Sequence, residues 1–188
     1  MIQEWQTTVE GALATVGSAE AGAGQFTVQP ALAAAVDALG KGEPTKDTRQ
    51  TADAASSAMS EAAKTLEGVD LPTLIRDRGL DVATANYVLN SRARMLNGLE
   101  LYERVAAIVD AATAEDVDPA LVEALSVQAT ELLPLAQRVF DEGYTDYTSA
   151  LASVGLLQPT PGLPGASGLP GGSGLPGSGL GEPAALPT

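Results

Sequence analysis

From Ile2 to Leu157 the apolar side chains recur at steps of three and four, and no stretch sustains a step of two. That period belongs to α-helices buried along one face, and it leaves no strand from which a sheet could be built. Ile2, Trp5, Val9, Ala12, Leu13 and Val16 predict a first helix, followed by a small-residue loop over 17–24. Pro30 starts a short second helix carrying Leu32, Ala35, Val36 and Leu39, stopped by Gly40 and Gly42. Glu43-Pro44-Thr45 opens a third over 46–67, with a seam of Thr51, Ala55, Ala58, Ala62 and Leu66. Such small seams let helix axes approach closely, so this helix is expected to pack tightly antiparallel to another.

Asp70 and Pro72 mark the start of a short helix that closes at Gly79. Asp81 caps the longest helix, 82–112, whose stripe is Ala85, Val88, Met95, Leu99, Tyr102, Ala106 and Val109, widened by Leu89, Leu96 and Val105. Arg92 falls in the same row and has to snorkel or find an acid. Asp118-Pro119 starts a further helix to about 141, with Leu121, Val122, Leu125, Leu132, Leu133, Val139 and Phe140 on one side. Pro134 is expected to kink it, and Gly143 to separate it from a last short helix over 146–157. The fold expected is all-α: an antiparallel bundle of five to six helices over 1–158, then an extended Gly/Leu/Pro-rich tail over 159–188.

The tail cannot build a core. Residues 162–177 repeat Gly-Leu-Pro every six residues, with glycine at every third position. Three readings fit: a flexible tether, a short collagen-like segment needing trimerisation by the body, or a multivalent ligand. In the last, Leu163-Pro164, Leu169-Pro170 and Leu175-Pro176 are the partner-binding candidates, each an apolar plug on a preformed extended backbone.

The chain has no cysteine and no histidine, which removes zinc sites of the usual kind, cysteine nucleophiles and any Ser-His-Asp arrangement. No catalytic group, metal or cofactor is therefore expected. The net charge of −14 repels nucleic acid and anionic membrane and suits a basic partner or packing where charge limits non-specific association; other protein subunits are the partners expected, with a homo-oligomer left open. Neither a basic region leading into an apolar stretch nor an apolar run long enough for a membrane span is seen, so a cytoplasmic or shell-incorporated protein is expected.

Residues 71–94 resemble a helix-turn-helix: Leu74-Ile75, Gly79, Leu80, Val88 and Leu89 are suitably placed, and Arg76, Arg78, Arg92 and Arg94 cluster there. The resemblance implies a DNA-binding regulator. Ile75 stands where a small residue is customary, Asp77 and Asp81 dilute the basic face, and the second helix runs too far. A helix-glycine-helix corner accounts for the same residues.

Glu115, Asp116 and Asp118 lack the further ligands and central glycine of a calcium loop and suit a helix start. Glu100, Glu103 and Asp110 read as a solvated face. Phe140, Tyr144, Tyr147 and Trp5 are either core or partner anchors, with core favoured. The expectation is a non-enzymatic structural or assembly protein, its body and tail contacting other subunits of an assembly such as a virion or another protein shell.

Overall fold

The computed structural model describes residues 2–16 and 28–156, and these residues are helical apart from short connections. Among the described residues six helices follow in order: α1 (Ile2–Val16), α2 (Val28–Gly40), α3 (Lys46–Glu67), α4 (Leu71–Arg78), α5 (Val82–Ala112) and α6 (Pro119–Ser153). Each start from α3 onward has a local cause. Thr45 caps α3 in a reciprocal pair with Thr48, and the carboxylates of Asp70, Asp81 and Asp118 accept from the first-turn amides of α4, α5 and α6. Gly79 closes α4 at φ 58°, a left-handed conformation open to glycine and costly for other residues.

The core is built on one long antiparallel hairpin, α5–α6, with its turn at 113–118. Thr84 at the start of α5 meets Ser153 at the end of α6, hydroxyl to hydroxyl at 2.8 Å. Helix α3 lies antiparallel along α5: Arg49 pairs with Asp110 at one end, and at the other Arg92 reaches the carbonyls of Glu67, the last residue of α3, and of Val69 just beyond it. The expected close antiparallel packing of α3 is thus found, on the line Thr48, Ala52, Ala55, Met59, Ala62 and Leu66, with Thr51 and Ala58 at its margin. Helix α2 packs against α3, α5 and α6, and α1 lies against α3 with Trp5 and Val9 fully buried.

Three expectations need correction. Helix α6 does not end near 141 but runs unbroken through Pro134 and Gly143 to Ser153. Pro134 sits on the exposed side, where water can serve the carbonyl left without its amide partner. Gly143 is a packing residue rather than a terminator, as described below. In addition, Leu121 and Leu89 are exposed, because the buried lines of α6 and α5 pass through other residues, Ser126, Ala129 and Ala136 on α6 and Thr84, Val88 and Ser91 on α5.

Candidate functional site

On α5 the residues facing α6 are Thr84, Val88, Ser91, Met95, Gly98, Tyr102, Val105, Val109 and Ala112, all buried and spaced alternately by four and three. On α6 the buried line includes Ser126, Ala129, Ala136, Gly143, Tyr147 and Ala150, with the same heptad step. This is the signature of a left-handed coiled-coil pair. A Cβ on Gly98 would stand 2.7 Å from the Cβ of Phe140 and 2.9 Å from its backbone, and one on Gly143 would stand 2.7 Å from the Met95 amide nitrogen. The two glycines therefore let the helices touch backbone to side-chain root on both sides of one crossing. Each faces a large partner, Phe140 over Gly98 and Met95 over Gly143, so volume is shared across the seam. Register follows from these contacts: the antiparallel pair cannot slide by a heptad without driving a larger residue into a glycine's place.

Arg94 spans the same hairpin, its Nη1 3.0 Å from Asp146 and 3.8 Å from Glu142. The Asp146 oxygen is buried and makes no hydrogen bond of good geometry, so the contact is an ion pair across the hairpin. Arg92 finds no acid. Its two amino groups donate to the carbonyls of Val69 and Glu67 at 3.1 Å each, placing a cation where the α3 dipole is negative and its carbonyls lack amide partners.

The corner at 71–94 is a helix, a left-handed glycine and a longer helix. Two of its arginines, Arg92 and Arg94, are turned to the body's own elements, and Arg76 pairs with Asp77. Val88 belongs to the α6 seam and Leu89 points outward. Phe140 meets Tyr102 edge-on at 6.5 Å, Tyr144 and Tyr147 lie tilted against each other at 5.8 Å, and Trp5 is fully buried, so Trp5, Tyr102 and Tyr147 are in the core and Phe140 and Tyr144 pack against it. Burial pushes the Tyr102 and Tyr147 hydroxyls well above the usual phenol range, with Asp141 and Glu10 respectively adding to it. Burial also raises Asp141, while hydrogen bonds from Thr73 and Thr84 hold Asp70 and Asp81 below the usual carboxylate range.

Three of the six acidic groups singled out in the sequence are engaged in structure. Glu100 pairs with Arg104, Asp110 with Arg49, and Asp118 caps α6. Among the described residues no group of three or more acidic side chains is arranged to hold a metal ion, and no helix is long and apolar enough to cross a membrane. The partner-binding candidates Leu163, Pro164, Leu169, Pro170, Leu175 and Pro176 lie outside the described residues. Sequence reading missed the hairpin seam, although a heptad line of small residues was there to be read. The chain matches no protein-family model, and no curated protein or solved structure is detectably similar to it.

Proposed function

We propose that the protein is a non-enzymatic assembly component: a helical body carrying an arm, 159–188, that docks on other protein subunits of a larger particle such as a virion or another protein shell. The observation that carries this reading is the repetition of Leu-Pro at 163, 169 and 175 in a segment with a single charge, Glu182, attached to a strongly acidic body. Repeated weak plugs on one chain gain by effective concentration what each lacks alone. The body suits the role of a scaffold, since Arg49, Arg92 and Arg94 and several of its acids are engaged in caps and contacts that hold helices together.

The test is sedimentation of the protein produced at its native level in its own cells. The parent chain is expected in a large particle, and the variant Leu163→Ser/Leu169→Ser/Leu175→Ser at the top of the gradient with helicity unchanged. A parent chain that sediments alone overturns the reading. Equal incorporation of the serine variant and the parent reduces the arm to a spacer.

A further inference from the structure

Beside its buried seam, α6 carries a second heptad line: Leu121, Leu125, Gln128, Leu132, Leu135, Val139, Glu142 and Asp146, spaced alternately by four and three. Helix α5 carries a matching one, Tyr87, Asn90, Arg94, Asn97, Leu101, Arg104 and Ile108. The ion pairs of Arg94 with Glu142 and Asp146 join one line to the other, so both lie on the same flank of the hairpin. The opposite flank is the covered one. There Leu99 and Ala106 are buried beside Arg92 and Asp110, which face α3, and Ser126 meets α2 at Gly40.

The open flank divides into two halves. Near the helix ends it is polar, with Arg94, Glu142 and Asp146. Toward the turn, from Leu101 to Ile108 and from Leu121 to Val139, the two lines hold one charge, Arg104, already paired with Glu100. Leu121 is 52 % and Leu135 37 % exposed, while Leu101, Ile108, Leu125, Leu132 and Val139 are half-buried, with no further helix above them among the described residues.

We infer that this apolar half of the α5–α6 flank is a self-association surface, and that its occupant is the same surface of a second copy. Three observations favour a second copy. The body carries all 24 acidic residues but Glu182 against 10 basic ones, so two copies repel over most of their surface; this nearly uncharged flank is where they can meet. Its heptad lines on two adjacent helices are the pattern that another heptad pair interlocks with, giving a four-helix layer about a two-fold axis. The α6 line spans about 28 Å at 1.5 Å per residue, and across two helices covers about 500 Å² per copy. Both copies together then bury about 1,000 Å², the lower bound for a specific interface, so a reversible dimer is expected. The inference rests on residues of the body alone and uses no residue of the arm.

The experiment is sedimentation equilibrium of the full chain from micromolar to about millimolar concentration. The parent should shift from its monomer mass of 19.0 kDa to a dimer as concentration rises. Leu121→Glu/Leu135→Glu places carboxylates at positions already in water, so the fold should stand by circular dichroism while the dimer weakens at least about 100-fold. Val127→Glu, 54 % exposed on the outer side of α6, should leave the dimer unchanged. Because the chain has no cysteine, Gln128→Cys supplies a lone thiol at the centre of the flank; it should cross-link copies under mild oxidation, and Val127→Cys should not. The serine variant of the arm should dimerise as the parent does. A parent that is monomeric throughout overturns the inference. So does a dimer indifferent to the paired glutamates, a failure of Gln128→Cys to cross-link, or a dimer lost only with the arm.

Discussion

Two heptad lines run side by side on α6, and the more hydrophobic one is the less buried. Ala129, Ala136, Gly143 and Ala150 are buried, while in the neighbouring line Leu121 and Leu135 are exposed and Leu125, Leu132 and Val139 only partly buried. The difference lies in what stands opposite. The small line faces α5 at a distance that admits no Cβ at Gly143, whereas among the described residues the leucine line has no helix over it. Burial in this molecule follows how near the next axis comes, and side-chain size sets that nearness. Hydrophobicity alone would place the core on the wrong line.

The largest effect expected is on the covered flank. Leu99→Ala should cost about 2–5 kcal/mol, since its cavity lies beneath α3 and is closed on all sides. Leu135→Ala, measured at a concentration where the chain is monomeric, should cost less than about 1 kcal/mol because much of that side chain is already in water. Similar denaturation midpoints for the two would erase the distinction between the flanks.

Next comes the crossing itself. Gly143→Ala should destabilise by about 2–3 kcal/mol, because the new methyl must displace Met95 backbone and the about 1 kcal/mol gained in helix propensity does not offset that. A neutral Gly143→Ala in urea denaturation would mean that α5 and α6 are further apart than described.

Much of this was legible. Asp70, Asp81 and Asp118 announced helix starts by side-chain chemistry, and Gly79 a helix end, because capping is local and needs no tertiary context. The hairpin seam was not read, because Thr84, Ser91 and Gly98 fall out of any count restricted to large apolar residues. Without them the α5 stripe merges two lines, Val88-Met95-Tyr102-Val109 facing α6 and Leu99-Ala106 facing α3. Gly143 was ambiguous for a deeper reason: a glycine in a helical pattern signals a stop or a close approach, and only the partner helix decides which. The role of Arg92 depends likewise on where α3 ends in space.

Arg92→Met keeps the aliphatic stem but strands the Glu67 carbonyl at the end of α3, while the Val69 carbonyl keeps the Leu71 amide, and should cost about 1–2 kcal/mol. Arg92→Lys should recover part of this, since an ammonium meets one carbonyl readily but lacks the fork for both. Full stability of Arg92→Met would reduce the contact to decoration of the covered flank.

The buried phenols give the seam a signature in alkali. Tyr102 and Tyr147 hold their protons in the fold above the ordinary value of 10.0 that they regain when unfolded. Their contribution is complete below that pH and is lost as pH rises above it, because the unfolded chain ionises first. The melting temperature should therefore fall as pH climbs past 10.0, and Tyr102→Phe should make the fall shallower. An unchanged slope in Tyr102→Phe would place the hydroxyl in water.

The smallest expected effect has the opposite sign. Gly11 lies on the exposed side of α1, and a Cβ there would meet nothing nearer than the Thr65 methyl at 3.9 Å, ordinary contact. With no crowding to oppose it, Gly11→Ala keeps the propensity gain and should stabilise the body by about 0.5–1 kcal/mol. The same substitution thus tests one idea from both sides: stabilising where no helix presses close, destabilising at Gly143 where α5 does. If the two alanines shift the urea midpoint in the same direction, axis proximity is not what selects glycine in α6, and the small line loses its explanation.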